Sequence, residues 1–186
     1  MDPFLHWTLA LALAALFGAS ALAKLRTYNE WPGVVRNFRL LPDRLAGAAA
    51  ATLLGAELLT AAALVWAPTQ PAGAWAAASL LVLTAGAVGI NIRRGRIDID
   101  CGCFGSQLRQ RLAPWMVSRN VALACFALTL LLPVSERSMS AFEWLVSIGC
   151  VLTLAFLYPV AAVVLGEAGP SGPKRTLMAD AAPREL

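Results

Sequence analysis

Residues 45–66 read LAGAAAATLLGAELLTAAALVW, and the only charged side chain among these 22 residues is that of Glu57. An α-helix rises about 1.5 Å per residue, so a helix of this length spans the roughly 30 Å of hydrocarbon in a bilayer. Uncharged apolar runs of roughly 18 residues or more are typical of membrane-spanning helices. The stretch therefore predicts a transmembrane helix with one acidic group inside the membrane.

Four further stretches have the same apolar character, at residues 5–23, 74–92, 114–132 and 141–165. Of all residues, 59% are hydrophobic and only 14% are charged, whereas ordinary soluble chains carry about 25% charged residues. All six tryptophans fall at the ends of these stretches or in loops, as in the aromatic belts of membrane proteins. We therefore predict an all-α membrane protein whose single domain, residues 1–165, is a bundle of about five transmembrane helices in contact with the lipid bilayer.

Positive charge is divided unevenly between the two sides of this bundle. Thirteen of the 15 lysines and arginines lie in loop one (24–44), loop three (93–113) or the C-terminal tail, and only Arg137 lies on the other side, in loop four. An excess of these residues marks the cytoplasmic side. The pattern predicts an inner-membrane protein with its N-terminus outside and its C-terminus in the cytoplasm. The net charge of +4 is then a topology signal, and no nucleic-acid partner is implied.

The two ends of the chain carry different signals. The first apolar stretch ends in small residues and resembles a secretory signal peptide. However, Lys24 and Arg26 follow the apolar run instead of preceding it, so we expect it to be retained as the first span. Residues 166–186 are rich in Gly, Pro, Ala and charged residues, which predicts a disordered cytoplasmic tail.

Two patterns predict how the helices pack. In loop one, apolar residues share one helical face from Trp31 to Leu41, which predicts a short interfacial helix after the first span. Small residues at four-residue spacing let helix backbones approach closely. They predict that the faces carrying Gly47, Ala51 and Gly55, and Ala85 and Gly89, form the helix seams.

Loop three contains the densest chemical signal, the run D-I-D-C-G-C-F-G-S at residues 98–106. The glycine between Cys101 and Cys103 lets the backbone turn tightly enough to close a small, strained disulfide ring. Strained, accessible disulfides exchange readily and serve catalysis or regulation more often than structure. We favour dithiol–disulfide exchange by this pair. Binding of Cu(I) by two thiolates and a structural or merely free pair of cysteines stay as alternatives.

The charges around the two cysteines act in opposite directions. Arg93, Arg94 and Arg96 favour the reactive thiolate, whereas Asp98 and Asp100 disfavour it. The sequence therefore does not decide the net shift of the thiol pKa.

Two further cysteines, Cys125 and Cys150, lie at similar depths inside the fourth and fifth predicted spans. They are candidates for a relay or resolving pair that exchanges electrons with Cys101 and Cys103. Free cysteine is also a common small buried apolar residue, and that interpretation is the favoured one.

Polar residues in or near the spans are candidates for proton handling or for lining the site. Glu57 should be protonated or paired, because a lone carboxylate in the membrane is costly. It could move protons during thiol exchange or simply pack as a satisfied acid. Asn91, Arg119 and Asn120 lie near the cytoplasmic ends of two spans. They either line a vestibule around the C-G-C motif or snorkel to the interface.

Other site chemistries lack their residues. His6 is the only histidine, and the chain has no H-E-x-x-H, phosphate-binding glycine loop or G-x-S-x-G motif. Hydrolase, kinase and haem-protein functions are therefore disfavoured, and no metal site is predicted. No cofactor motif is evident, and a quinone is left open without a motif in its favour.

The run I-D-I-D-C-G-C-F-G at residues 97–105, after an apolar helix, resembles the methylamine-utilisation MauE family, whose members are distantly similar to DoxX-like redox-associated membrane proteins. The most specific element is D-C-G-C-F-G at residues 100–105. The resemblance extends over about residues 5–165. Its other elements are A-K-L-R at 23–26, N-F-R-L-L-P at 37–42, Glu57, and Trp115 with Arg119 and Asn120.

This resemblance implies a membrane component that assists maturation of the small subunit of methylamine dehydrogenase. The implied role is to help form or correct disulfides in that exported client, beside a thioredoxin-like redox partner. Whether the protein is itself a thiol–disulfide oxidoreductase or an accessory scaffold is left open.

The charge topology conflicts with an exported client, because it places Cys101 and Cys103 at the cytoplasmic face. Disulfides form mainly in oxidising compartments. Three resolutions stay open: a relay across the bilayer through Cys125 and Cys150, an inverted topology, or a loop that folds back and is reached from outside.

Overall fold

The computed structural model describes residues 1–99 and 112–167. All regular secondary structure in these ranges is helical, which confirms the predicted all-α fold. The helices are α1 (Pro3–Arg26), α2 (Trp31–Asn37), α3 (Asp43–Val65), α4 (Gln70–Arg93), α5 (Pro114–Thr129) and α6 (Ala141–Glu167), with a 3-10 turn at Ala67–Thr69 between α3 and α4. Each of the five predicted spans coincides with one of the five longer helices.

Three helical segments of the described chain are long and apolar enough to cross a membrane: Pro3–Arg26, Asp43–Val65 and Ala67–Arg93. Helix α5 has 16 residues, and the apolar part of α6 in the described residues is Ala141–Leu157. The outward faces of the bundle carry large exposed apolar side chains, among them Leu59, Phe142 and Phe156, each more than 70% exposed. Lipid is the environment that such faces require, which confirms a helical membrane protein. The number of spans stays a prediction.

Consecutive long helices pack side by side, α1 on α3, α3 on α4 and α4 on α5, while α1 also touches α5. Their buried faces form an alanine-rich core that includes Leu13, Phe17, Leu64 and Leu81. Helix α6 packs on α1 at the edge of this four-helix core. Small side chains on facing helices let the backbones approach closely, which suits packing in a lipid environment.

The turn between α3 and α4 brings two backbones into direct contact. The side chains of Thr69 and Gln70 donate hydrogen bonds of 2.9 and 3.1 Å to the carbonyls of Ala63 and Leu64. Both carbonyls belong to the last turn of α3, where helix geometry leaves carbonyl groups without partners. Gly73 of α4 lies so close that a Cβ built on it would be 3.0 Å from the Ala63 carbonyl carbon and from the Leu64 nitrogen.

We expect Gly73→Ala to destabilise the protein by about 1–3 kcal/mol, because the added methyl meets backbone that cannot move aside without separating α3 and α4. The matched control is Gly86→Ala on the same helix, where nothing lies within 4 Å of the added Cβ. Chemical unfolding in detergent micelles measures both. Equal stability of the two variants would show that the close contact at Gly73 has no energetic consequence.

The short helix predicted after the first span is present as α2, but it ends earlier than the amphipathic pattern suggested. It stops at Asn37, and Arg39 then adopts a left-handed conformation with φ of 48°. That conformation cannot continue a right-handed helix. Residues 38–42 therefore form the connection into α3.

The seam prediction is wrong for α3 and correct for α4. On α3, Gly47 and Ala51 are exposed and Gly55 is partly exposed, while Ala46, Ala50 and Leu54 form the buried face. On α4, Ala85 is buried, and a Cβ on Gly89 would lie 3.9 Å from Val117 of α5. An alanine-rich helix has small residues on every face, so their spacing does not identify the contacting face.

Candidate functional site at the basic end of the bundle

Glu57 is paired inside the bundle with Lys24. Both residues are buried, with exposed fractions of 7% and 4%. The Lys24 ammonium donates to Oε1 of Glu57 and, over 3.0 Å, to the hydroxyl of Ser20. That hydroxyl lies 3.3 Å from both carboxylate oxygens. The expectation that Glu57 is protonated or paired is met by pairing, and the α1–α3 seam carries a salt bridge with no net charge.

Sequence reasoning used Lys24 as a topology and retention signal and as part of the family resemblance, but missed it as the partner of Glu57. The side chain is long enough to extend back from the end of α1 towards an acid on the neighbouring helix. The available signal was a single acid in one span beside a lysine at the inner end of the preceding one. Intramembrane charges usually have such a partner inside the bundle.

Trp31, the first residue of α2, covers the ion pair at its Lys24 side. Its ring centroid lies 4.7 Å from the Lys24 ammonium, a cation–π distance. Its indole N–H donates a 2.9 Å hydrogen bond to the carbonyl of Ala50 on α3. Helix α2 is thereby fixed across the end of the α1–α3 seam and separates the ion pair from the surface.

Cys101 and Cys103 lie outside the described residues, but both ends of the segment that carries them are described. The Leu112 N–H donates a 3.0 Å hydrogen bond to the Ile97 carbonyl. Leu112 is buried with Val88 and Met116, and Ile99 and Phe38 pack against this group. The two ends of the cysteine-bearing segment therefore meet at the end of α4 and the start of α5, where Phe38 from the end of α2 packs on them.

Asn91 lies at this loop base and is fully buried. Its amide donates a 3.0 Å hydrogen bond to the Ala87 carbonyl, and its side-chain oxygen accepts from Arg96 over 3.4 Å. The structure thus places Asn91 next to the start of the cysteine-bearing segment.

Asn120 occupies the α4–α5 seam. It is buried, and its amide donates to the hydroxyl of Thr84 over 3.3 Å. Its side-chain oxygen accepts from Arg119 over 3.2 Å, and the Arg119 guanidinium lies 5.0 Å from the Trp115 ring centroid. Asn120 therefore makes a contact between α4 and α5 and does not extend to the membrane interface. Its hydrogen bonds and those of Asn91 do not include Glu57, whose described partners are Lys24 and Ser20.

Cys125 and Cys150 are free thiols on exposed faces of α5 and α6. Helix α6, which carries Cys150, packs on α1. The favoured interpretation of buried packing cysteines is therefore wrong for both residues, because their helices turn these positions outward. Their role as a relay pair stays a prediction.

The opposite end of the bundle holds an ionic cluster that sequence reasoning also missed. Arg137 of loop four donates to Glu143 over 2.7 Å and to both oxygens of Asp2 over 3.2 Å. These hydrogen bonds, first that of Glu143, raise the pKa of Arg137 above its usual value. The N-terminal ammonium also donates to the Pro133 carbonyl. The N-terminus and loop four thus share one end, and the described parts of loops one and three share the other. The side of the membrane on which each end lies stays a prediction.

The fold and this site define a class: a helical membrane protein with a buried salt bridge and a segment carrying two cysteines, whose described ends are joined at the basic end. The sequence model of a family described as "Methylamine utilisation protein MauE" matches residues 2–133. The chain belongs to the MauE family, and the resemblance inferred from its sequence is confirmed.

Curated relatives agree with this assignment. Proteins named "Methylamine utilization protein MauE" are 46% identical in Paracoccus versutus, over 75% of this chain and 76% of the relative. They are 45% identical in Paracoccus denitrificans, over 70% of each chain, and 43% identical in Methylorubrum extorquens, over 68% of this chain and 69% of the relative. No solved structure matches.

Proposed function

We propose that this protein is a membrane thiol–disulfide redox protein of methylamine utilisation, with Cys101 and Cys103 as the exchanging pair. Its client is the exported small subunit of methylamine dehydrogenase, whose disulfides it helps to form. The observation that carries the proposal is the C-G-C sequence in a family named for methylamine utilisation. The joined segment ends at Ile97 and Leu112 support it, because they give the two thiols a fixed base.

The exchange requires two successive attacks. A client thiolate attacks one sulfur of the oxidised Cys101–Cys103 pair, forms a mixed disulfide and releases the other sulfur as a thiolate. A second client thiolate then attacks the client sulfur of the mixed disulfide, so that the client gains a disulfide. The protein keeps two thiols and has accepted two electrons and two protons.

Reoxidation follows the same chemistry with a different partner. The disulfide of a thioredoxin-like protein accepts the two electrons by exchange, which restores the Cys101–Cys103 disulfide and leaves the partner as a dithiol. The cycle consists of thiol exchange alone and needs no bound cofactor. The proposed setting is the inner membrane, with the N-terminus outside and the C-terminus in the cytoplasm.

The test is to trap the mixed disulfide. In Cys101→Ser or Cys103→Ser, the neighbouring thiol is missing and cannot resolve a mixed disulfide formed by the remaining cysteine. Membranes that contain either variant are quenched with an alkylating reagent and analysed by mass spectrometry. We expect one of these variants to accumulate a disulfide to the client or to a thioredoxin-like protein. Applying a membrane-impermeant reagent from each side identifies the face on which the thiols react.

The matched controls are Cys125→Ser and Cys150→Ser, which remove exposed thiols from other helices. Neither should change the trapped species if Cys101 and Cys103 act alone, whereas loss of exchange would reveal a relay. If Cys101 and Cys103 never change oxidation state in native membranes, the redox function is wrong. A non-enzymatic scaffold would then account for fully active serine variants, and stoichiometric bound copper would indicate Cu(I) handling.

A further inference from the structure

We infer that Arg96 is a positioning residue, which fixes the base of the cysteine-bearing segment by clamping it to the end of α2. This inference rests on the proposed function for its consequence in catalysis, but its geometry stands on described residues alone. The alternative role of Arg96, suggested by its place near the cysteines, is to stabilise a thiolate by its charge.

The backbone of Arg96 is held by the way α4 ends. Gly95 has a φ of 71°, and its N–H donates to the Ile92 carbonyl over 3.0 Å. The N–H of Arg96 donates to the Asn91 carbonyl over 2.9 Å. These two bonds are the Schellman arrangement, in which a left-handed residue closes a helix. The side chain of Arg96 therefore starts from a fixed point.

The guanidinium of Arg96 is directed at the C-terminal end of α2. One terminal nitrogen donates to the Asn37 carbonyl over 2.8 Å, and the other lies 3.4 Å from both the Phe38 carbonyl and the Asn91 side-chain oxygen. The last carbonyls of a helix lack intrahelical partners and carry partial negative charge. A planar fork of donors matches this group of acceptors, which a lysine cannot do. Neighbouring Arg94 approaches the next carbonyl, that of Arg39, over 3.4 Å.

The same end of α2 also touches the other side of the loop base. The ring of Phe38 packs against the group of Val88, Leu112 and Met116, while its carbonyl faces Arg96. Immediately after Arg96, the Ile97 carbonyl accepts from the Leu112 N–H. Both ends of the segment are therefore tied to α2, one by the guanidinium and one by apolar packing.

This arrangement gives Arg96 a geometric role. Three acceptors occupy its donors, so the residue is committed to contacts that hold the loop base. Arg93 offers a contrast three residues earlier, because its side chain is exposed and makes no hydrogen bond or ion pair with residues 1–99 or 112–167. Arg93 therefore provides a control that removes a positive charge from the same segment of chain without removing a contact of the loop base.

The experiment compares Arg96→Gln, Arg96→Lys and the control Arg93→Gln in the full-length protein, purified in detergent. Hydrogen–deuterium exchange of the Leu112 amide reports directly on the loop base. We expect both Arg96 variants to speed that exchange by about tenfold or more, because opening of the loop base becomes easier. Arg93→Gln should leave it unchanged. Arg96→Lys keeps the charge, so it remains informative if the glutamine variant fails to fold.

Two measurements on the thiols distinguish a positioning role of Arg96 from stabilisation of a thiolate by its charge. A positioning role predicts that both Arg96 variants slow mixed-disulfide formation with a thioredoxin-like protein by about tenfold, as expected for misplaced reacting groups. It also predicts that the pH midpoint of Cys101 and Cys103 alkylation by a small reagent stays as in the wild type. The inference would be overturned in favour of thiolate stabilisation by two results together. Arg96→Lys would form the mixed disulfide at the wild-type rate, and Arg96→Gln would raise the pH midpoint of cysteine alkylation.

The two proposals fail in different ways. If the Leu112 amide exchanges equally fast in all variants, Arg96 does not position the loop base, whether or not the cysteines cycle. If exchange at Leu112 responds as expected but the wild-type cysteines never change oxidation state, the redox function is wrong and the structural clamp stands.

Discussion

Lys24→Met should destabilise the folded protein by about 3–5 kcal/mol, because it leaves the Glu57 carboxylate buried without its partner. In the wild type, the ammonium of Lys24 bonds both Glu57 and Ser20, and the salt bridge is sealed by Trp31. Among the described residues, removing the cation leaves Glu57 with the Ser20 hydroxyl as its hydrogen-bond partner inside the α1–α3 seam. Chemical unfolding in detergent micelles measures the loss.

The double variant Lys24→Met with Glu57→Leu distinguishes the stability lost through an unpaired buried charge from the stability lost when both charges are absent. Replacing a buried ion pair by apolar side chains of similar volume is often close to neutral. We therefore expect the double variant to recover most of the lost stability. Arg26→Met is the matched control. Arg26 lies two residues after Lys24 and its side chain is exposed, so this variant removes a positive charge that is not buried. A Lys24→Met protein as stable as the Arg26→Met protein would show that the salt bridge does not stabilise the bundle.

The double variant also addresses the function of Glu57. If it folds and still supports client maturation, the acid serves packing, and proton handling by Glu57 is excluded. If it folds but fails in maturation, the Lys24–Glu57 pair has a role in function beyond packing. The structure favours the packing role, because the described partners of Glu57 belong to the α1–α3 seam.

Cys101→Ser and Cys103→Ser should each reduce methylamine dehydrogenase maturation to the level of cells that lack the protein. A single thiol can form a mixed disulfide but cannot close the ring that completes a two-electron exchange. The two substitutions together should be no worse than either alone, because in the proposed function the cysteines act as one unit. Dehydrogenase activity and the number of free thiols in its small subunit measure the effect.

Cys125→Ser and Cys150→Ser serve as the comparison for these variants, since both remove a thiol of the same protein from an exposed helix face. Normal maturation in these two, with complete loss at Cys101 and Cys103, would assign the chemistry to loop three. Normal maturation in the loop-three variants would instead support a scaffold role.

Much of the fold was predictable from the sequence, because the length of an apolar run is a local property. The spans predicted at 5–23 and 74–92 became α1 and α4 with one to four more residues at each end. Prolines at the first helical position of α1 and α5, and at the second of α4, help to set where these helices begin. The C-G-C motif and the family resemblance were likewise readable, since they depend on the order of residues along the chain.

The tertiary structure alone decided which faces and partners meet. The sequence contained Lys24 and Glu57 but could not show that one neutralises the other, because 33 positions separate them along the chain. The spacing of small residues on α3 indicated the wrong face, since alanine occurs on all of its faces and only neighbouring helices select the buried one. The contact of Arg96 with the end of α2 was also decided by the tertiary structure. It depends on where Gly95 turns the chain and where Arg39 ends α2. Hydrophobicity and motif order act locally, whereas pairing across helices is a property of the assembled bundle.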